Sequence, residues 1–264
     1  MGIRVLVSGS GKMGREVLAA VCLADDLEPA GVVDLFAKAD AIALPDGSGA
    51  VPFGSDVTVL IEQTRPDVAV DFSNAEWTPR LADAALAAGV RLVIGTTGLT
   101  DAFLKNLEEE CSRRNLGAVV APNFAIGAVL MQHISALAAR YYESAEIIEL
   151  HHGGKADAPS GTSIATAKAM AAGHEKPFLR PPTQKETVAG TRGADVDGIT
   201  IHSVRLPGLV AHQEVILGGT GETLRIRHDS LGRDSYMTGV IMAIHHVMEH
   251  PGLVIGAGQL LGLK

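Results

Sequence analysis

The sequence predicts an α/β protein, in which a doubly wound parallel sheet is followed by a second domain of α+β type. Three observations lead to this fold class. Short apolar runs alternate with alanine-rich helical stretches through the first half of the chain, as in a parallel sheet with helices on both faces. A glycine-rich turn directly follows the first run. After Asn123, three strand-like runs come in quick succession, which is typical of an antiparallel sheet.

The elements of the first half follow from their apolar pattern. The run Ile3–Ser8 suits a buried parallel strand, and a helical pattern continues from Met13 to Ala24. Residues 40–56, rich in Asp, Gly, Ser and Pro, are predicted to form a loop. The same reasoning predicts further strands at 30–34, 68–72, 92–94 and 119–121, and helices at about 76–89 and 101–114.

The second half is predicted to mix helices and strands. A polar stretch with Pro and Gly fills roughly residues 174–197. The three closely spaced runs are 198–205, 210–217 and 223–228. The remaining predictions are a helix at about 126–142, a strand at 145–151, a helix starting near Ser160 and a last helix at about 234–249.

Composition excludes several classes of protein. The chain has 264 residues, of which 47% are hydrophobic and 20% charged, and this rules out a disordered chain. The formal net charge of −8 is the wrong sign for a non-specific nucleic-acid binder. Any site for an anion must therefore be built locally.

The chain is predicted to be cytoplasmic. Its two cysteines, Cys22 and Cys111, lie far apart in no metal-like spacing, and we expect reduced thiols. The first residues enter a strand-like run at once and lack the pattern of a signal peptide. No uninterrupted apolar run of about 18 residues is present, so a membrane-spanning helix is not expected.

The glycine-rich turn predicts a dinucleotide site of Rossmann type. The pattern G-x-G-x-x-G stands between a strand and a helix, where Gly9 allows the tight turn, Gly11 lets the backbone approach a pyrophosphate and Gly14 lets helix and strand pack closely. The amides at the start of the helix favour phosphate. The predicted cofactor-binding residues here are Ser8, Gly9, Ser10, Gly11, Lys12, Met13, Gly14 and Asp34.

The choice between NADH and NADPH stays open. Asp34, twenty residues after Gly14 at the end of the second predicted strand, suits a ribose 2′-hydroxyl and so favours NAD. Lys12 lies inside the glycine turn and suits a 2′-phosphate, which favours NADP.

The stretch from Glu149 to Thr162 predicts an anion pocket with a proton donor. Two adjacent histidines, His151 and His152, follow a strand, and Lys155 comes three residues later. Ser160 is placed to cap a helix whose first amides, at Gly161 and Thr162, would hold a carboxylate. The alternatives are a solvated loop and a metal site. No third ligand completes a metal site, and none is predicted.

Together these motifs closely resemble the dihydrodipicolinate reductase family (4-hydroxy-tetrahydrodipicolinate reductase). The family signature E-x-H-H-x-x-K-x-D-x-P-S-G-T is complete between Glu149 and Thr162. Three shorter segments also fit, so that the resemblance runs from residue 3 to about 240: Asp71-Phe72-Ser73, Gly95-Thr96-Thr97-Gly98 and Ala121-Pro122-Asn123-Phe124. Lys12 departs from the Arg that the family often carries, and Leu35 stands where some members have a basic residue.

The resemblance implies reduction of an unsaturated cyclic dicarboxylate to tetrahydrodipicolinate by NADH or NADPH, in diaminopimelate and lysine biosynthesis. It implies that His151 is the general acid and that Lys155 assists it. It also implies that His152, Ser160, Gly161 and Thr162 hold a substrate carboxylate. The nicotinamide would be served by Gly95, Thr96, Thr97, Ala121, Pro122, Asn123 and Phe124.

The family fold implies two domains and a homotetramer. Residues 1–122, with 233–264 returning to them, would bind the dinucleotide. Residues 123–232 would bind the substrate and join the subunits through an open mixed sheet. No nucleic-acid or membrane partner is expected.

The chemistry is coherent from the residues upward. A hydride that arrives at one carbon leaves negative charge on its conjugated partner, which a poised histidine quenches with a proton. A dianionic substrate would raise the pKa of that histidine. Closure of a hinge between the domains would exclude water. Two alternatives stay open: another NAD(P)-dependent imine or amino-acid dehydrogenase, or a dinucleotide sensor without turnover.

Overall fold

The computed structural model describes residues 2–174 and 176–263. Within them the helices are α1 Lys12–Leu23, α2 Val57–Thr64, α3 Thr78–Ala87, α4 Asp101–Arg114, α5 Ile126–Ala139, α6 Gly161–Ala172 and α7 Met237–Glu249. The strands are β1 Ile3–Ser8, β2 Leu27–Val33, β3 Ala41–Ala43, β4 Ala50–Gly54, β5 Val68–Asp71, β6 Arg91–Ile94, β7 Gly117–Val120, β8 Ser144–His151, β9 Ala194–Val196, β10 Ile199–Arg205, β11 Ala211–Gly219, β12 Glu222–Ser230 and β13 Gly252–Ile255.

The chain divides into two compact units. One comprises the residues up to Ile126 together with those from Arg233 onward, and the other comprises Gly127–Gly232. Each unit has its own sheet and its own hydrophobic core.

The first unit contains a sheet with the strand order β13-β7-β6-β5-β1-β2-β4-β3. All neighbouring strands run parallel except β3, which is antiparallel to β4. Strand β1 lies near the centre of the sheet. Its residues Val5, Leu6 and Val7 are almost fully buried, as expected of a strand that is covered on both faces. This confirms the predicted parallel sheet.

The carboxyl ends of four strands meet at one edge of this sheet. Ser8 at the end of β1 is in register with Asp71 at the end of β5, and Asp71 with Ile94 at the end of β6. Ile94 is in turn in register with Val120 at the end of β7. Strand β1 lies between β2, the next strand in the sequence, and β5, the strand with which the chain crosses to the other half of the sheet. Open α/β sheets bind their ligands at such a change of direction.

The second unit contains a five-stranded sheet in the order β12-β11-β8-β10-β9. Strand β8 pairs in parallel with β10 and antiparallel with β11, so the sheet is mixed, as the family resemblance implied. Its buried face packs on α5 and α6 through a core that includes Ile147, Met170, Ile201 and Val215.

Several predicted elements were wrong. Residues 40–56 are not a loop throughout, because β3 and β4 pair as a hairpin that residues 44–49 connect. The strands β10 and β11 do not pair with each other, since β8 lies between them. The short α2 and the strands β9 and β13 were not predicted. The other helices and strands agree with the prediction apart from shifts of a few residues at their ends.

Candidate active site

The glycine turn of the first unit has the backbone that its sequence predicts. Gly9 follows β1 with φ of +98°, a region that favours glycine. A side chain at Gly14 would bring its Cβ within 1.7 Å of the carbonyl oxygen of Gly9, so only glycine lets α1 pack on the turn. Gly11 is different, because a Cβ there would meet nothing within 4 Å. Its backbone is therefore open to approach by a ligand.

The start of α1 fits a pyrophosphate. The first backbone bond of the helix runs from the amide of Arg15 to the carbonyl of Gly11. The amides of Lys12, Met13 and Gly14 precede it and have no acceptor within the helix. With the positive end of the helix dipole they form an anion site, and the exposed Lys12 adds a cation.

Asp34 lies directly after β2 and faces the glycine turn. Its Oδ2 accepts from the amide and the hydroxyl of Ser10, both at 2.7 Å, and its Oδ1 accepts from the amide of Phe36 at 2.9 Å. Partial burial raises the pKa of Asp34, but these hydrogen bonds outweigh it and the pKa lies below its ordinary value. The carboxylate is therefore ionised and acts as a hydrogen-bond acceptor beside the glycine turn.

Asp71 holds this edge of the sheet together, and sequence reasoning gave it no role. It has no exposed surface, and four hydroxyl groups donate to it: Ser8 at 2.7 Å, Ser73 at 2.6 Å, Thr78 at 2.5 Å and Thr96 at 2.8 Å. The indole of Trp77 donates to Ser8 Oγ at 3.0 Å. We call these side chains the Asp71 cluster. It ties the end of β1 to the turn after β6.

The predicted nicotinamide segments follow β6 and β7. Thr97 and Pro122 are exposed, and Gly95 and Asn123 are half-buried. Thr96 is buried in the Asp71 cluster, and Ala121 and Phe124 have no exposed surface. The ring of Phe72 lies 5.8 Å from that of Phe124 and covers Gly95, where a Cβ would clash with it. Phe124 therefore supports Phe72 from within the core.

The second unit places His151 at the end of β8 beside a buried carboxylate. Nδ1 of His151 lies 2.5 Å from Oε2 of Glu149, which has no exposed surface. Arg205 on β10 donates to both oxygens of Glu149, at 2.9 and 2.8 Å. His151 itself keeps 14% of its side-chain surface exposed, so its ring is accessible.

The groups around His151 have opposing effects on its pKa. Burial lowers the pKa of His151, Glu149 raises it, and the cations Lys155 and Arg205 lower it, with a net lowering. Burial raises the pKa of Glu149, but the hydrogen bonds from Arg205 and His151 outweigh it, so that its pKa is lowered. Glu149 is thus ionised, and His151 is a weaker base than usual.

The start of α6 offers a second anion site. Ser160 caps the helix, as predicted, and its buried hydroxyl accepts from the amide of Ser163 at 3.2 Å. The first helical bond runs from Ile164 to Ser160, so the amides of Gly161 and Thr162 have no acceptor within the helix. Gly161 is exposed and Thr162 half-buried. The Ser160 hydroxyl, in contrast, is committed to the cap.

The loop between β8 and α6 carries the remaining predicted residues. The amide of Lys155 donates to the carbonyl of His152 at 3.2 Å. The Lys155 ammonium donates to Oδ1 of Asp157 at 2.6 Å, and the side chain is only partly exposed. His152 is exposed. The loop therefore presents a cation and an imidazole next to His151.

Glu149 and Arg205 are functional candidates that sequence reasoning missed. Glu149 stands in the quoted signature, and its spacing of two from His151 on a strand places both side chains on one face. That spacing was the available signal. Arg205 had none, because only the parallel pairing of β8 with β10 places it opposite His151.

Two protein-family models match this chain. The family models described as "Dihydrodipicolinate reductase, N-terminus" and "Dihydrodipicolinate reductase, C-terminus" match residues 3–124 and 127–261. The chain belongs to the dihydrodipicolinate reductase family. A 4-hydroxy-tetrahydrodipicolinate reductase of Dehalococcoides mccartyi is 47% identical over 99% of both chains. One from Geobacillus thermodenitrificans is also 47% identical, over 99% of this chain and 100% of the relative.

A solved structure gives the same family. The dipicolinate-bound dihydrodipicolinate reductase from Paenisporosarcina sp. TG-14 is 42% identical and covers 98% of this chain and 99% of its own, with a TM-score of 0.88. Membership of the dihydrodipicolinate reductase family confirms the resemblance, the predicted fold class and the prediction of an oxidoreductase that uses NADH or NADPH.

Among the side chains that the structure describes, no group of three or more His, Cys, Asp or Glu residues is arranged to hold a metal ion. No helix within residues 2–174 and 176–263 is long and apolar enough to span a membrane.

Proposed function

We propose that this chain reduces 4-hydroxy-tetrahydrodipicolinate to tetrahydrodipicolinate with NADH or NADPH, a step of diaminopimelate and lysine biosynthesis. The ring first loses its 4-hydroxyl group as water, and the conjugated dihydrodipicolinate that results takes up one hydride and one proton. One observation carries the proposal. In a chain of the reductase family, an accessible imidazole lies beside a lysine and the free amides of a helix start. A cyclic dicarboxylate needs such a site, because its charges need donors and its reduction needs a proton.

The substrate carboxylates are the natural ligands of the second unit. The amides of Gly161 and Thr162 lie at the positive end of the α6 dipole. They stabilise an anion most strongly when it is shielded from water. The exposed His152 adds a donor. In a chain with a net charge of −8, this local concentration of donors and cations selects the dianion.

His151 and Lys155 supply the proton side of the reaction. Burial keeps the pKa of His151 low in the free chain, so a bound dianion next to it raises that pKa and draws in a proton. His151 then gives this proton to the carbon on which negative charge develops. Lys155, at present paired with Asp157, stabilises the same charge.

The first unit holds the dinucleotide. The amides at the start of α1 bind the pyrophosphate, Asp34 accepts from the ribose, and Gly95 and Thr97 lie at the strand ends on the nicotinamide side. When bound, the nicotinamide supplies a hydride. The residues of the first unit orient the dinucleotide and carry no proton in this scheme.

A coupled assay tests the proposal. Pyruvate and aspartate semialdehyde are supplied with the upstream synthase, and oxidation of NADH and of NADPH is followed separately. Oxidation that depends on the synthase is expected with at least one of them. A folded chain that binds NADH or NADPH but oxidises neither would support another imine substrate or a sensor.

Dipicolinate tests the anion site independently of turnover. The related structure was solved with dipicolinate bound, and its two carboxylates mimic those of the proposed substrate. We expect competitive inhibition against the substrate and weaker binding in Thr162→Pro, which removes one helix-start amide. Equal affinity of Thr162→Pro and the unchanged chain would place the carboxylates elsewhere.

We further propose a homotetramer that assembles through the second sheet. The face of that sheet opposite to α6 carries the half-exposed apolar side chains Ile148, Leu150, Val204 and Ile216, which share it by strand alternation and register. Light scattering should give the mass of four chains, and Ile148→Lys should give a smaller species. Val59→Lys, on the exposed side of α2, is the control and should leave the mass unchanged. We also propose that the protein is cytoplasmic, because the reaction consumes reduced nicotinamide nucleotide.

A further inference from the structure

We infer that Glu149 is a positioning residue that fixes a proton on Nδ1 of His151, so that Nε2 is the nitrogen that protonates the substrate. Arg205 holds Glu149 in place for this task. The inference rests on the proposed function, in which His151 is the proton donor, and it adds which nitrogen acts and what selects it.

The register of the sheet brings the three side chains together. Glu149 and His151 are two residues apart on β8, and Arg205 on β10 is directly in register with His151. Oε2 of Glu149 faces His151 Nδ1 at 2.5 Å and accepts from Arg205 Nη1 at 2.9 Å. Oε1 accepts from Arg205 Nη2 at 2.8 Å and from the amide of Ser160 at 3.2 Å. The carboxylate is thereby fixed from three sides.

An ionised carboxylate can only accept hydrogen bonds, so the nitrogen that faces it must carry a proton. Glu149 has no exposed surface, and water does not compete for this contact. The Nδ1 proton therefore stays in place through the cycle. The exchangeable proton is the one on Nε2, the nitrogen on the far side of the ring.

Arg205 limits the rise in the pKa of His151 that Glu149 causes, so that His151 can still release its proton. A carboxylate alone would strengthen the basicity of His151, whereas the cations Arg205 and Lys155 weaken it. Asp157 faces Lys155 at 2.6 Å, and its backbone carbonyl accepts from Arg205 Nη2 at 2.8 Å. Glu149, Arg205, Lys155 and Asp157 are the charged groups around the imidazole. His151 thus has a fixed orientation without becoming a base too strong to release its proton.

The same strand offers a matched control. Glu146 on β8 accepts from Arg192 at 2.9 Å and lies 2.9 Å from Nε2 of His202, so it repeats the carboxylate, guanidinium and imidazole set. Since it is three residues from Glu149, its side chain leaves the opposite face of the sheet. Glu146→Gln removes the same kind of charge as Glu149→Gln, but away from His151. Because Glu146 lies on the face of the proposed subunit contact, light scattering must show that this variant keeps the mass of the unchanged chain.

The first experiment reads the tautomer directly, without substrate. Protein labelled with ¹⁵N-histidine is titrated by NMR, and the His151 signals are assigned by their loss in His151→Asn. Neutral His151 should carry its proton on Nδ1, and in Glu149→Gln a substantial fraction should carry it on Nε2. Glu146→Gln should leave the His151 signals unchanged. A neutral His151 protonated on Nε2 in the unchanged chain would overturn the inference.

The second experiment reads the consequence in the pH profile of kcat. Glu149→Gln removes a negative charge beside His151, so the loss of activity at high pH should begin at lower pH, with kcat reduced about 10²-fold and KM for NADH unchanged. Arg205→Gln removes a cation and should move the same limb to higher pH. Shifts in the same direction in both variants would contradict the assignment.

The two experiments separate this inference from the proposed function. If the tautomer responds as expected but the unchanged chain does not oxidise either dinucleotide in the coupled assay, the proposed reaction fails and the positioning role of Glu149 stands. If the chain is active and the tautomer is insensitive to Glu149, the reaction stands and the positioning role fails. Circular dichroism of each variant checks that it is folded.

Discussion

Two acidic side chains, Asp71 in the first unit and Glu149 in the second, each lie at or near the end of a strand with no exposed surface, but different hydrogen-bond donors surround them. Asp71 accepts from four hydroxyl groups. Glu149 accepts from a guanidinium, an amide and an imidazole. The hydroxyls do not titrate near neutral pH, and the imidazole does.

This difference separates a scaffold from a reactive site. Asp71 joins Ser8 beside the glycine turn to Thr96 after β6, so its role is to fix two loops relative to each other. Glu149 joins the imidazole of His151 to the guanidinium of Arg205, so its role includes the charge of its partners. Buried charge of either kind is tolerated only because each oxygen has hydrogen-bond donors.

The largest expected effect follows from removing the charge partner of Arg205. Glu149→Ala leaves a guanidinium that is 19% exposed without its carboxylate, and loss of one partner of a buried pair costs about 3–5 kcal/mol of unfolding free energy. Denaturant unfolding measures this. Glu146→Ala, whose partners are more exposed, should cost about 1 kcal/mol or less. Equal losses of unfolding free energy in the two variants would mean that the buried Glu149–Arg205 pair contributes no more to stability than the more exposed ion pairs of Glu146.

Lys155→Ala should reduce kcat about 10²-fold or more, because it removes the cation that stabilises the developing charge. The dissociation constant of NADH should not change, since that site belongs to the first unit. Lys168→Ala, on the exposed side of α6, is the control. Near-normal turnover of Lys155→Ala would remove this lysine from the mechanism.

Asp71→Asn tests the scaffold. The amide offers one acceptor oxygen where the carboxylate serves four hydroxyls, so unfolding free energy should fall by about 1–3 kcal/mol. Trp77, the only tryptophan, donates into the Asp71 cluster, and its fluorescence should change. Asp83→Asn, exposed on α3, should change neither. Full stability with altered fluorescence would show that the cluster positions side chains without stabilising the fold.

Asp34 is a third carboxylate at a strand end, but it is half-exposed and therefore available to a ligand. Asp34→Ala should weaken NADH binding about tenfold more than NADPH binding, since a charged acceptor for the ribose hydroxyl is lost and repulsion of a 2′-phosphate is relieved. Fluorescence titration with each dinucleotide measures the ratio, with Asp40→Ala as the control. The opposite order would mean that Asp34 does not contact the ribose.

The sequence predicted those parts of the site that depend on local backbone. The glycine turn, the Ser160 cap and the segment from His151 to Thr162 are continuous in the chain, and their spacing carries their geometry. The Asp71 cluster and Arg205 depend on contacts between strands that are 25 to 63 positions apart, which no local pattern contains. Arg205 was missed for a further reason, since its strand was expected to pair with its neighbour in sequence and pairs with β8 instead.

The smallest expected effect distinguishes the two carboxylates by pH. The pKa of His151 is lowered in the fold from 6.5, so the unfolded chain binds more protons there as pH falls below that value. Unfolding free energy should therefore decrease as pH falls from about 6.5, and this part of the slope should be weaker in His151→Asn. Asp71→Asn should keep the slope around pH 6, because the groups bonded to Asp71 are hydroxyls that take up no proton there. An unchanged slope in His151→Asn would show that another histidine dominates the acid sensitivity.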